Sequence, residues 1–108
     1  MQYIFRYHIQ PGRSEEFVAW LGANEATMAQ HTPEGWSYVG TWFTVRGFGS
    51  YAAESRWDIA NYAALDVGWG DETHLGLLQD FMGFTDQSRP SEAGLMKSTS
   101  QVITLPGT

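Results

Sequence analysis

The sequence predicts an α+β fold in which strands and helices follow the order β-α-β-β-α-β. Short segments that alternate apolar with polar side chains, or are rich in Trp, Tyr, Val and Thr, indicate strands. Two longer segments repeat apolar residues at helical spacing. The expected elements are strands at 2–9, 36–46, 50–58 and 95–105, helices that follow Ser14 and Asp71 and end near His31 and Thr85, and a short helical turn at 61–66.

Turn and cap residues separate these segments. Pro11-Gly12 ends the first strand, and Ser14 is expected to be the N-cap of the first helix. Gly47-Phe48-Gly49 is expected to form the hairpin turn between the second and third strands. Asp71 follows a glycine-rich breaker and is expected to cap the second main helix.

One four-stranded antiparallel sheet with two helices on one face, the ferredoxin-like arrangement, accommodates this order of elements. In it, strands one and three are expected to be adjacent and parallel. The opposite face of the sheet then needs a cover, because no segment is left to form a third layer. Since aromatic residues make up 15% of the chain, we expect a second copy to cover that face in a homodimer. Residues 1–108 are expected to form one domain.

Composition excludes several kinds of partner. The net charge is −6 and Lys97 is the only lysine, so the sequence has no basic stripe for nucleic acid or for an anionic membrane surface. No apolar run approaches the ~20 residues of a membrane span. The N-terminal segment lacks the features of a signal peptide and cysteine is absent, so we expect a cytoplasmic location and no thiolate metal site.

Polar residues interrupt the apolar stripes of both main helices. Asn24 and His31 lie on the first stripe, and His74 lies at the edge of the second. A buried polar group costs roughly 1–3 kcal/mol unless it finds a partner, so these three side chains predict a lined pocket rather than a plain core. The expected walls of this pocket are Tyr7, Trp20, Met28, Trp57, Trp69 and Leu78.

Two further groups of residues each allow two interpretations. Arg6, Glu54 and Arg56, with His8 and Asp58, are expected to form a charged patch on one face of the sheet. This patch is either a polar cavity or, as we favour, an ion-pair network that sets the register of two subunits. Gly68-Trp69-Gly70 is either a lid with an aromatic tip or a connector whose Trp packs on the neighbouring helix.

Several short motifs resemble the dimeric α/β-barrel superfamily, and within it the NIPSNAP-like and antibiotic-biosynthesis-monooxygenase-like proteins. The motifs are the opening strand from Ile4 to Gly12, Glu15-Glu16-Phe17, Gly35-Trp36-Ser37-Tyr38, and Arg56-Trp57-Asp58 followed by Tyr62-Ala63-Ala64-Leu65. This resemblance implies a dimer of ferredoxin-like subunits, each with a pocket between its sheet and its helices. Members include cofactor-independent oxygenases, polyketide cyclases, haem-degrading enzymes and proteins without known activity, so the fold does not fix the function.

Two functions from different classes follow. The first is a cofactor-independent monooxygenase or cyclase acting on an aromatic or polyketide-like substrate, with His74 as the base and Asn24 stabilising the anion that forms. The second is a non-catalytic, NIPSNAP-like binding or interaction protein, in which the inward polar residues only satisfy the fold.

Haem binding is a third possibility, although the sequence predicts no cofactor. The resemblance to haem-degrading relatives implies an Asn on the first strand, a Trp on the third and a His on the second helix. Trp57 and His74 match the last two, whereas Tyr7 or His8 stands at the first position. The three histidines of the chain also lack the spacing of common metal-binding motifs.

Overall fold

The chain forms one antiparallel sheet with two main helices on one face, as seen in a computed structural model that describes residues 1–46 and 51–103. The expected hairpin turn at 47–49 lies outside the described residues. The strands are β1 (Gln2–Tyr7), β2 (Trp36–Phe43), β3 (Ala53–Ile59) and β4 (Glu92–Met96). The helices are α1 (Ser14–Gln30), α2 (Glu72–Phe84) and the short α3 (Thr99–Ile103), with a 3₁₀ helix at Tyr62–Asp66.

The strands lie side by side in the order β2-β3-β1-β4, and each neighbouring pair is antiparallel. The predicted α+β fold with a four-stranded antiparallel sheet is therefore confirmed, and so is the adjacency of strands one and three. The prediction that these two strands run parallel is wrong. The chain reverses between β2 and β3, and β2 runs in the same direction as β1, so the strand inserted between them must oppose both.

A cluster of aromatic rings between the helices and the sheet forms the centre of the core. Phe17 of α1 and Phe81 of α2 are buried against Tyr7 of β1. The centroid of the Tyr7 ring lies 5.3 Å from that of Phe81 and 6.2 Å from that of Phe17, in edge-on orientations that favour aromatic pairs. Replacement of such a buried ring by alanine typically costs about 3–5 kcal/mol, so these contacts help to hold both helices against the sheet.

A bulge in β2 brings two polar side chains into this core. The register against β3 shifts between Tyr38 and Gly40, so Tyr38 and Thr41 both face the helices. Their hydroxyl oxygens are 2.5 Å apart, Thr41 is 2.7 Å from the Ser55 hydroxyl, and Ser55 is 2.8 Å from the hydroxyl of Tyr7. The four hydroxyls, those of Tyr7 and Ser55 buried and those of Tyr38 and Thr41 half-buried, therefore satisfy one another in a single chain of hydrogen bonds.

Several predicted element ends differ from the structure; β2, for example, ends at Phe43 rather than at residue 46. β1 ends at Tyr7 rather than at residue 9, because Ile9 leaves the sheet to form a bridge with Thr85. Ser14 is the first residue of α1 and not its N-cap; Arg13 holds the cap position without a capping side-chain hydrogen bond.

The predicted last strand is also only partly correct. β4 ends at Met96, and residues 99–103 form α3 instead of continuing the strand. Ser98 and Gln101 explain this change: the Ser98 N–H donates to Gln101 Oε1 at 2.8 Å, and the Gln101 N–H donates to Ser98 Oγ at 3.4 Å. This reciprocal pair is a capping box, which starts a helix. In the described ranges no helix has the length and apolar character needed to span a bilayer.

The buried hydroxyl chain predicts how stability changes at alkaline pH. Burial raises the pKa of Tyr7 to about 12, whereas an unfolded tyrosine ionises near pH 10. Because the folded pKa is raised, this stabilisation is complete below about pH 10 and is lost as the pH rises towards 12. Urea denaturation should therefore show the wild type losing roughly 2–3 kcal/mol more over this window than Tyr7→Phe.

The control for this prediction is Tyr62→Phe, which removes a hydroxyl from an exposed ring. This variant should lose as much stability between pH 10 and 12 as the wild type does. An alkaline loss in Tyr7→Phe that equals the loss in the wild type would contradict the prediction.

Candidate functional site

A cavity of about 650 Å³ lies between α2 and the sheet. Its lining residues on α2 run from His74 to Gly83, and Phe81 among them also contacts Tyr7 of β1. The cavity is lined mainly by aromatic and aliphatic side chains. The lining residues are Tyr3, Phe5, Trp36, Trp57, Trp69, His74, Leu75, Leu78, Gln79, Phe81, Met82, Gly83 and Gln87.

Four aromatic rings make one continuous wall of this cavity. The ring centroids of Tyr3 and Trp36 are 5.5 Å apart, those of Tyr3 and Trp57 are 6.0 Å apart, and those of Trp36 and Trp69 are 5.5 Å apart. The indole N–H of Trp36 donates to the Ala64 carbonyl at 2.7 Å, which fixes that ring. The wall therefore has a defined shape before any ligand enters.

His74 is the buried polar side chain of the cavity, with 1% of its surface exposed. Its Nδ1 is hydrogen-bonded to the backbone carbonyl of Trp69. A carbonyl oxygen can only accept, so Nδ1 carries the hydrogen and, in the neutral ring, Nε2 carries the lone pair. Nε2 is buried and has no hydrogen-bond partner among the described residues. Such an orphaned atom is rare in proteins and calls for an explanation.

The start of α2 holds His74 in this position. Asp71 caps the helix, and its Oδ1 accepts the His74 backbone N–H at 2.9 Å. The other carboxylate oxygen, Oδ2, is 2.7 Å from Nδ1 of His31. These two hydrogen bonds lower the pKa of Asp71. The bond with His31 has the larger effect, and the bond from the His74 N–H has the smaller one. His31 thus supports the cap of α2 and does not line the cavity in the part of the chain that is described.

The connector before α2 leaves no room for a larger residue at Gly70. Its φ is +96°, and a Cβ there would lie 2.9 Å from the His31 carbonyl oxygen and 3.0 Å from the Cβ of His74. Trp69 packs on Trp36 and leaves 52% of its surface exposed at the cavity. The connector therefore performs two tasks: its backbone orients His74, and its indole ring closes one side of the cavity.

The structure brings together four of the nine predicted site residues. Trp57, Trp69, His74 and Leu78 all line the cavity. The other five, including the proposed anion stabiliser Asn24, do not line it within residues 1–46 and 51–103. Those five are Tyr7, Trp20, Asn24, Met28 and His31.

The side chains of α1 pack elsewhere for identifiable reasons. The Asn24 amide donates to the Trp20 carbonyl of its own helix at 2.9 Å, so its polar group is satisfied four residues back. The ring of Trp20 packs on Phe17 and Phe84, and Met28 is fully buried. α1 therefore contributes to the core, and α2 contributes the helical wall of the cavity.

Sequence reasoning missed several lining residues. Phe81, Leu75 and Met82 lie on the predicted stripe of the second helix but were not assigned to the pocket. Tyr3 and Phe5 alternate with Tyr7 along β1, so the period of the strand could have placed them on the same face. Trp36 can be placed at the cavity only when the pairing of β2 with β3 is known. No sequence pattern predicts that Gly83, Gln79 or Gln87 line it.

The charged patch lies on the face of the sheet opposite the cavity. Glu54 Oε1 is 2.8 Å from Nε of Arg6, and Oε2 is 2.6 Å from a terminal nitrogen of Arg56. Burial alone would raise the pKa of Glu54, but the hydrogen bonds and charges of the two arginines outweigh it and lower the pKa. Of the other predicted members, Asp58 accepts from Gln2 at 3.2 Å, and His8 is buried beside Tyr51.

Two substitutions test the role of the connector. Gly70→Ala adds a Cβ against backbone and forces a strained φ, which typically costs about 1–3 kcal/mol. Gly68→Ala is the control, because a Cβ there meets no atom within 4 Å and φ is not positive. Urea denaturation should show a clear loss for Gly70→Ala and a change within about 1 kcal/mol for Gly68→Ala. Equal effects of the two substitutions would contradict this account of the connector.

The chain is similar to known proteins in its structure but matches none of the compared families or curated proteins in its sequence. No protein-family profile matches the chain, and no curated protein matches its sequence. An uncharacterised NIPSNAP domain protein from Burkholderia xenovorans superposes with a TM-score of 0.59 at 14% identity, over 92% of this chain and 96% of that one.

Two further solved structures are similar. HapK from Hahella chejuensis superposes with a TM-score of 0.59 at 15% identity, over 92% of this chain and 95% of its own. A hypothetical protein from Arabidopsis thaliana superposes with a TM-score of 0.62 at 13% identity, over 91% of this chain and 87% of that one. Likeness at such low identity establishes the fold alone. The chain therefore has a ferredoxin-like fold shared with a NIPSNAP domain protein, as its sequence motifs predicted.

Proposed function

We propose that this chain is a small-molecule-binding protein whose cavity takes an aromatic or polyketide-like compound. The observation that carries the proposal is an apolar cavity of about 650 Å³ lined by His74, whose buried Nε2 has no hydrogen-bond partner among the described residues. The volume lies within the roughly 300–1,000 Å³ of typical ligand pockets. A mostly apolar lining with few polar groups is also typical of such pockets.

Exposed apolar side chains at the cavity support a bound ligand over a plain core defect. Trp69, Leu75 and Met82 all line the cavity and leave a third or more of their surface exposed. A bound apolar molecule would remove part of this surface from water, at about 25 cal/mol per Å². The rings of Trp36, Trp57 and Tyr3 provide faces and edges against which an aromatic ligand can pack.

A catalytic role, as a cofactor-independent monooxygenase or a cyclase, is the second candidate. The lone pair that the neutral His74 ring keeps on Nε2 favours it, because a base in this position can remove a proton from a bound phenol or from a carbon between two carbonyls. In a cyclisation, that carbon then attacks another carbonyl of the same molecule, and the proton passes from Nε2 to the new alkoxide. Since Asn24 lies elsewhere, the amides of Gln79 and Gln87 are the cavity's candidates for stabilising an anion.

A ligand screen tests the proposal and separates its variants. Purified protein is heated with naphthols, quinols, phenolic polyketide mimics and haemin. A ligand at 100 times its Kd should stabilise the fold by about 2.7 kcal/mol. Haemin is included because an unpaired imidazole nitrogen is the ligand type that haem iron takes, and a Soret band would reveal it. Binding without a new product or dioxygen uptake favours the non-catalytic alternative, and turnover establishes an enzyme.

Leu78→Trp is the matching variant, because it places a larger ring inside the cavity. It should abolish ligand-dependent stabilisation. Val18→Trp adds the same ring to the exposed side of α1 and should leave that stabilisation unchanged. Ligand binding that survives Leu78→Trp would contradict the assignment of this cavity, and no hit across the panel would count against binding of aromatic compounds.

We also propose that a second copy of the chain covers the open face of the sheet. That face bears Trp42, which is 48% exposed, and the ion pairs of Arg6, Glu54 and Arg56. A face carrying both charges beside apolar side chains can complement itself across a two-fold axis. Met96 on β4 is also exposed, and it lies on this face because it pairs with Gln2.

Light scattering during size exclusion should therefore give a mass near twice 12.1 kDa. Arg56→Glu should shift the protein towards the monomer, because it places a like charge beside Glu54. Arg89→Glu changes an exposed arginine in a loop after α2 and should leave the mass unchanged. A wild-type monomer at micromolar concentration would contradict the dimer.

A further inference from the structure

His74 has the geometry of a hydrogen-bond acceptor that selects the ligand. Its Nδ1 already donates to the Trp69 carbonyl, so the neutral ring has only the Nε2 lone pair left to offer. That atom is buried without a partner among the described residues, whereas nearly all buried polar atoms in proteins are paired. The group that pairs it must therefore be a donor, such as a hydroxyl or an N–H.

The rest of the cavity limits what kind of molecule can bring this donor. Gln79 and Gln87 are the other polar side chains of the lining, and neither is hydrogen-bonded to Nε2. The remaining walls consist largely of the rings of Tyr3, Trp36 and Trp57 and of aliphatic side chains of α2. A molecule that fits these walls is largely apolar and aromatic and carries few polar groups.

We infer that the cavity selects a hydroxylated aromatic compound, whose phenolic O–H donates to Nε2 of His74, over the same compound without that donor. This inference rests on the proposed function, because it needs a ligand in the cavity. It makes His74 a specificity-determining residue and makes the Trp69 carbonyl the group that fixes its tautomer. Phenols are strong donors, whereas their methyl ethers have the same rings and no O–H.

Matched ligands test the inference on the full chain. Calorimetric or NMR titration compares 1-naphthol, 1-methoxynaphthalene and naphthalene at about pH 8, where free histidine is neutral. The wild type should bind 1-naphthol at least about ten-fold more tightly than 1-methoxynaphthalene. This ratio is expected because 1-naphthol pairs the buried acceptor and its methyl ether leaves the acceptor unpaired. Leu78→Trp should abolish binding of all three compounds, which places them in the cavity.

His74→Asn is the decisive variant. The amide nitrogen of Asn can replace Nδ1 as donor to the Trp69 carbonyl, whereas nothing in the shorter side chain replaces Nε2. We expect this variant to fold and to bind 1-naphthol and its ether with affinities within about two-fold of each other. His74→Phe, which removes both nitrogens, should also lose the preference. A preference for 1-naphthol that persists in His74→Asn would overturn the assignment of Nε2.

A measurement on the unmodified protein keeps the inference testable if both variants unfold. Long-range ¹H–¹⁵N NMR distinguishes protonated from unprotonated ring nitrogens, and the chain has only three histidines. At about pH 8, His74 should show a protonated Nδ1 and an unprotonated Nε2. The opposite tautomer would overturn the inference.

The ligand series separates failure of this inference from failure of the proposed function. If naphthalene and both its derivatives bind the wild type with equal affinity, the cavity binds aromatic compounds but His74 does not select among them. If none of the three compounds binds, both the inference and the proposed binding of aromatic compounds are wrong.

Discussion

The hydrogen bond between His74 and the Trp69 carbonyl is the interaction on which the site depends. It joins the connector to the first turn of α2 and determines which imidazole nitrogen remains free. The Asp71 cap and the close approach at Gly70 support it from both sides. Because these contacts involve backbone atoms, the orientation of His74 is set by the local chain path and not by a distant side chain.

The core and the cavity lie on the same helix-facing side of the sheet. Phe17 and Phe81 meet over Tyr7 in the aromatic cluster of the core. Side chains of α2 from His74 to Met82 line the cavity together with Trp57 and Tyr3 of the sheet. The same face of the sheet thus supports both an aromatic core and a ligand-sized space, and Phe81 borders both.

Much of the fold, but less of the site, could be predicted from the sequence. Alternation along β1 and helical spacing in α1 and α2 give the order of elements, and the burial of His74 on an apolar helix face gives the key residue. A helical stripe shows which face is buried but not what lies opposite, so Asn24 and His31 were grouped with a cavity that they do not line. The position of Trp36 at the cavity could not be predicted without the pairing of β2 with β3. The formation of α3 depends on one capping box, between Ser98 and Gln101.

A crystal structure of the protein soaked with 1-naphthol would show whether an aromatic hydroxyl pairs the buried Nε2 of His74. We expect the naphthalene rings to lie between the wall of Trp36 and Trp57 and the side chain of Leu78 on α2. We also expect the naphthol oxygen to lie about 2.7–3.0 Å from Nε2. Naphthol bound elsewhere, or a protein donor already paired with Nε2 in the crystal, would contradict this pairing.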